Sequence, residues 1–125
     1  MLELIKIMHD QFGITHEEQP SSDEERAFRH AAFVEEAGEY LNATTDAERL
    51  DALVDLVVFA LGAAEREGYL PLWHVAFSRV MEANLNKRLG PNAKRGSYNL
   101  DLQKPEGWEP PDLQSLFERP KWLSC

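Results

Sequence analysis

Apolar residues recur at helical spacing along most of residues 2–85. Leu2, Ile5, Met8 and Phe12 form one stripe, and Gly13 follows as a stop, so residues 1–12 are expected to form a short amphipathic helix. Residues 14–21 contain Pro20 and read as a loop. Ser22-Asp-Glu-Glu25 is a capping-box pattern opening a second helix that runs to about Asn42. Thr45-Asp-Ala-Glu48 repeats the pattern and opens a third helix ending near Gly68. Pro71 suits the first turn of a fourth helix, which carries Leu85 and an inner face of Trp73, Phe77, Val80 and Met81, with a stop at Gly90-Pro91. Short connections make neighbouring helices antiparallel. The expected fold is all-α, an antiparallel four-helix-type bundle over residues 1–90. An extended tail over 91–125 belongs to the same single domain. Aromatics recur in that tail at Tyr98, Trp108, Phe117 and Trp122, and a brief hairpin between about 94 and 104 is compatible with its Gly, Pro and Asn content.

From Ala52 to Ala64 every residue of the third helix is apolar or Gly except Asp55. A helix apolar nearly all round is expected to be buried, and a carboxylate within it is costly unless paired or bound to a metal. The second helix contains FVEEAGEYL at residues 33–41. Glu35 and Glu39 lie nearly in line there, sharing a stripe with Phe28 and Ala32, while Glu36 is turned roughly a quarter turn aside. Like charges at these spacings repel. Asp51 precedes Asp55 by one turn. Carboxylates on facing helices of a bundle build divalent-cation sites, and Mg²⁺ takes hard oxygen ligands together with substrate phosphates.

Charge sharpens this reading. The chain of 125 residues has a net charge of −9, which argues against stable nucleic-acid binding. Residues 1–69 hold 16 acidic and 5 basic side chains, whereas residues 70–125 hold 6 and 8. A site for a cation and a polyphosphate together needs both signs. Asn84 and Lys87 continue the inner stripe of the fourth helix, along with Arg88, and Lys94, Arg95 and Lys104 follow. Each feature also has a bland reading: Glu-Glu-x-x-Glu occurs on solvated faces, and cations suit a helix C-terminus. His9, His16, His30 and His74 show no metal spacing and read as structural or surface residues. None follows a Glu by three positions, which argues against a carboxylate-bridged iron or manganese bundle. The single cysteine, Cys125, allows no internal disulfide. The N-terminus lacks the apolar core of a signal peptide and no apolar run is long enough to span a bilayer, so a cytoplasmic protein without a membrane segment is expected.

The order of these motifs resembles the all-α nucleoside triphosphate pyrophosphohydrolase superfamily, comprising MazG-like and phosphoribosyl-ATP pyrophosphohydrolase-like proteins. Glu35-Glu36-Ala-Gly-Glu39 matches its first element, Asp55 the end of its Glu-x-x-Asp element, and Asn84-Leu-Asn-Lys87 its third. Lys104-Pro-Glu-Gly-Trp-Glu-Pro-Pro-Asp112 resembles the ending of small, often phage-encoded members. One departure is Ala52, three before Asp55, where the family has Glu; Asp51 is the nearest substitute, and the number of metal ions stays open. The resemblance implies hydrolysis of a (d)NTP to (d)NMP and pyrophosphate in nucleotide-pool control. It implies Mg²⁺, with Mn²⁺ as a substitute, on Glu35, Glu39, Asp55 and Asp51. Glu36, also among the metal carboxylates, would activate water. Lys87, Lys94 and Lys104 would hold phosphates, and Asn84 would position the nucleotide. Apolar residues such as Phe12, Phe28 or Trp73 are expected around the base. Family members form homodimers or homotetramers. A non-catalytic nucleotide- or metal-binding protein is the alternative, kept open by Ala52, and phosphoribosyl-ATP is the alternative substrate.

Overall fold

The first helix, α1 (Leu2–Phe12), ends at Gly13, whose φ of 69° requires the left-handed conformation that glycine adopts at little cost. The computed structural model describes residues 1–14, 20–96 and 98–118; His16, Trp122 and Cys125 lie outside the described residues. The chain divides into two compact units, Met1–Pro71 and Leu72–Cys125.

In the first unit, α2 (Asp23–Asn42) opens with the expected capping box. The Ser22 hydroxyl accepts the Glu25 N–H at 3.1 Å and the Glu25 carboxylate accepts the Ser22 N–H at 3.5 Å. The helix α3 (Asp46–Glu67) is capped by Thr45, whose hydroxyl accepts from Glu48 N–H. The reciprocal half of that box differs from the expectation. The Glu48 carboxylate accepts chiefly the N–H of Thr44, at 2.9 Å, with that of Thr45 a weaker neighbour. Gly68, at φ 80°, closes α3.

α2 and α3 form an antiparallel hairpin, and α1 packs on α3. One ion pair sets the rotation of the hairpin. Glu25, held by the cap at the start of α2, receives a two-pronged contact from Arg66 near the end of α3, with Nε–Oε2 at 2.8 Å and Nη2–Oε1 at 3.1 Å. The Arg66 side chain is only 6% exposed. Midway along the hairpin, Phe33 and Phe59 meet edge to face with centroids 6.5 Å apart, a pairing worth about 0.5–1.5 kcal/mol. The inner stripe of α2 is therefore Glu25, Arg29, Ala32, Phe33 and Glu36, and that of α3 is Ala52, Asp55, Phe59, Gly62 and Arg66. Gly62 permits close approach. A Cβ there would lie 3.2 Å from Nε2 of the buried His9.

The core is small: Ile5, Ala32, Ala52, Leu61, Ala64 and Leu70 are its buried apolar members in this unit. The expectation that α3 is buried nearly all round is not met. Leu50, Leu53, Val54 and Val57 are exposed, spaced as one continuous helical stripe. Within one chain α3 meets helices on its inner side, which leaves the opposite stripe uncovered.

In the second unit, Pro71 sits in a 3₁₀ turn, Leu70–Leu72, that straddles the division, and α4 (Trp73–Leu85) follows. The expected stop at Gly90 comes earlier. Asn86 caps α4, and Arg88–Leu89 (β1) pairs antiparallel with Leu102–Gln103 (β2), Arg88 opposite Gln103 and Leu89 opposite Leu102. The minimal sheet takes the backbone polar groups that a longer helix would have used, with Gly90 N–H donating to Asp101 carbonyl at 2.7 Å. Lys87 and Arg88 therefore lie beyond the helix rather than on its stripe. The Trp108 indole N–H donates to the Ala83 carbonyl at 2.7 Å, and Arg79 donates to the Asp112 carbonyl at 2.7 Å and to the Ser115 hydroxyl at 2.8 Å, which secures the tail to α4. No helix among the described residues is long and apolar enough to cross a membrane.

Candidate metal and active site

One turn above the Phe33–Phe59 pair, the hairpin brings three carboxylates together. Glu36 and Glu39 of α2 and Asp55 of α3 each offer an oxygen within 4.8 Å of the others. Helical geometry makes this meeting possible. Glu36 and Glu39 are three residues apart and so neighbours on α2, and Asp55 lies four residues before Phe59 on the stripe that faces them. No cation from a lysine or arginine balances the cluster among the described ion pairs.

Its electrostatics follow from that imbalance. Burial, together with a hydrogen bond and repulsion from Glu39 and the charges of Asp55 and Glu35, pushes the Glu36 carboxyl up to about 7. Its Oε2 is buried and has no hydrogen-bond partner. An orphaned buried carboxylate oxygen beside two further carboxylates is what a hard divalent cation takes, so this donor set fits Mg²⁺ or Mn²⁺.

The other residues expected at the site lie outside this trio. Glu35 is exposed and lies outside the converging trio, acting on it through charge. Asp51 lies outside it too, lining with Glu39, Asn42, Ala43 and Glu48 a cleft of about 260 Å³. Ala52 is 2% exposed on the inner stripe, one turn before Asp55. In the second unit, Asn84 is half-buried on the last turn of α4 and its carbonyl accepts the Lys87 N–H at 3.0 Å. Lys87 and Lys104 both stand over the Trp108 ring, at 5.2 and 4.9 Å from its centroid. Lys94 sits on an exposed 3₁₀ turn whose cap is Asn92. Phe12 and Phe28, expected around a base, are 66% and 71% exposed, whereas Phe33 and Tyr69 line a cavity of about 620 Å³ with Arg26, Arg29 and His30. The sequence signal for this cavity was available in the aromatic and basic residues one and two turns before the acidic motif. Fixing the rotation of α2 needed the Glu25–Arg66 pair.

A family model described as phosphoribosyl-ATP pyrophosphohydrolase matches residues 3–84, about two thirds of the chain. The chain belongs to that family, and with it to the MazG-like nucleoside triphosphate pyrophosphohydrolase superfamily. It is of a pyrophosphohydrolase kind that acts on nucleotide derivatives and generally depends on a divalent metal. No curated protein matches the chain.

Proposed function

We propose that this member of the phosphoribosyl-ATP pyrophosphohydrolase family is a Mg²⁺-dependent hydrolase of (d)NTPs, releasing (d)NMP and pyrophosphate. The convergence of Glu36, Glu39 and Asp55 around an unpartnered buried oxygen carries the reading. These three carboxylates hold the cation, with Asp51 and Glu35 adding negative charge nearby. When bound, Mg²⁺, or Mn²⁺ in its place, offsets the phosphate charge and polarises phosphorus–oxygen bonds. Glu36 also accepts the proton of the water that attacks between the α and β phosphates. Lys87, Lys94 and Lys104 supply the positive charge for the phosphates, and Asn84 orients the nucleotide. The cavity of about 620 Å³ has the size and the aromatic walls for a base.

The exposed stripe Leu50, Leu53, Val54 and Val57 supports a homodimer or homotetramer, since a monomer gains nothing from leaving it in water. Light scattering on a sizing column reads this directly. Cytoplasmic residence and the absence of stable nucleic-acid partners belong to the same proposal.

A second substrate has a specific observation in its favour, namely the description of the matching family, which names phosphoribosyl-ATP. The bond cleaved is the same. The deciding experiment is pyrophosphate release from (d)NTPs and from phosphoribosyl-ATP, with Mg²⁺ and with EDTA, for wild type and Glu36→Gln. Metal-dependent release from a (d)NTP, lost in the variant, is the expected result. Release from phosphoribosyl-ATP alone would select the second substrate. No release from any of them would leave a nucleotide- or metal-binding protein.

A further inference from the structure

Among the described residues of the second unit, four of the six cations differ in how they are held. Arg95 is held by Asp101, with Nε–Oδ2 at 2.7 Å and Nη2–Oδ1 at 2.8 Å. Arg79 donates to the Asp112 carbonyl and the Ser115 hydroxyl. Lys87 and Lys104 are in no ion pair among the described residues, although the charge of Lys87 helps lower the Asp101 carboxyl, and both ammonium groups are placed on one aromatic ring. With distances of 5.2 and 4.9 Å to the same centroid, the two charges lie within about 10 Å of each other.

Two like charges have no reason to gather unless something favours their company. The indole face carries negative quadrupole density and attracts each ammonium. The ring itself is fixed, because its N–H donates at 2.7 Å to the carbonyl of Ala83, a buried residue in the last turn of α4. Lys87 leaves the chain just past the helix and Lys104 just past β2, and among the described residues both side chains meet the Trp108 ring.

We propose that Trp108 is a positioning residue that holds Lys87 and Lys104 as a two-ammonium clamp for the polyphosphate of the substrate. The choice of polyphosphate rests on the pyrophosphohydrolase reading; the clamp itself rests on the ring, its N–H bond and the two lysines. A polyphosphate carries negative charge on successive phosphorus centres and can meet both ammonium groups at once, whereas a single carboxylate meets one.

The test uses the whole chain and inorganic tripolyphosphate as probe, titrated calorimetrically in EDTA so that neither metal nor turnover enters. Trp108→Leu removes ring and N–H together and is expected to weaken binding about tenfold. Trp108→Phe keeps an aromatic face and is expected to stay within about threefold of wild type. Lys104→Gln leaves the indole and its bond to Ala83 intact and is expected to weaken binding about fivefold, so a folding defect in the Leu variant cannot imitate the clamp. In turnover, Trp108→Leu is expected to raise KM about tenfold and leave kcat within about twofold. Equal losses in the Phe and Leu variants would reduce the indole to a structural tie and overturn the proposal. So would tripolyphosphate binding untouched by Lys104→Gln, or a KM unchanged in Trp108→Leu. Trp108-dependent binding in a chain that hydrolyses nothing would keep the clamp and remove the enzyme reading, so the two fail separately.

Discussion

The α2–α3 hairpin carries acidic groups on its inner stripes at two levels, and it treats them in opposite ways. At one end Glu25 is matched by Arg66 in a two-pronged pair, and the guanidinium holds the Glu25 carboxyl below its ordinary range. At the other, Glu36, Glu39 and Asp55 converge with no cation among the described ion pairs, and Glu36 is pushed up to about 7. The two levels share the same helices and the Phe33–Phe59 contact between them. The difference is therefore not in the scaffold but in what has been left unpaired. The closed level fixes how the helices are rotated, and the open level is available to a ligand. Folding accounts for the first arrangement; the second is repulsive in the isolated chain and is of the kind that a bound cation would offset.

Replacing Glu36 separates these roles most sharply. Glu36→Gln keeps the shape, removes one charge and removes the proton acceptor, so pyrophosphate release is expected to fall by at least about 10²-fold while the metal-free melting temperature rises by a few degrees. Opposite signs on activity and stability are the mark of a group that function retains. A variant that loses both would place Glu36 with the structural acids. At the closed level the signs should agree. Arg66→Ala leaves Glu25 without its partner and opens space beside the core, so the melting temperature is expected to fall by about 10 °C or more, measured by calorimetry. A drop of only a degree or two would mean that the pair does not set the rotation of the hairpin.

The helices were readable from the sequence because their signals are local. Ser22, Thr45, Gly13 and Gly68 act within one turn of themselves, and the boundaries of α1 to α3 follow them closely. The acids were readable as a group for the same reason. Which of them face inward was not. The stripe through Phe28, Ala32, Glu35 and Glu39 is as regular as the true one through Glu25, Arg29, Ala32 and Glu36. Contacts between residues far apart in the chain, Glu25 with Arg66 and Phe33 with Phe59, select between them. The end of α4 escaped in a similar way, since a two-residue strand pairing with residues 102–103 competes with continued helix and carries no local pattern. Exposure of the outer stripe of α3 was hidden by a correct local reading. Apolarity shows what a helix would bury, and the single chain lacks the partner surface to bury it.

Ala52 tests how far the open level extends. It is 2% exposed and sits one turn before Asp55 on the inner stripe, where the family pattern has Glu. Ala52→Glu introduces volume and a fourth carboxylate beside the trio. Without a divalent cation the melting temperature is expected to fall by about 5–10 °C, from overpacking and repulsion. With Mg²⁺ most of that loss is expected to return, because the added oxygen joins the cation's ligands. A loss of the same size with and without Mg²⁺ would show that position 52 does not look into the site.

The smallest effect concerns protons, and its direction can be fixed in advance. The Glu36 carboxyl has a folded-state pKa of about 7, above its ordinary value of 4.5. Between these values the native chain holds a proton that the unfolded chain has released. The contribution of this group to stability is therefore fully present below about pH 4.5 and is lost as pH rises through about 7, the reverse of a salt-bridged acid such as Glu25. A divalent cation must displace that proton. Its apparent affinity is expected to fall about tenfold for each pH unit below 7, and the rise in melting temperature on adding Mg²⁺ should grow from near zero at pH 5 to a few degrees at pH 8. In Glu36→Gln this pH dependence should flatten, because the titrating group is gone. A Mg²⁺ effect that is the same at pH 5 and pH 8 in the wild type would place the cation on the exposed acids rather than on the buried oxygen of Glu36. The open level would then be a feature of charge alone, and the contrast with the Glu25–Arg66 pair would lose its functional meaning.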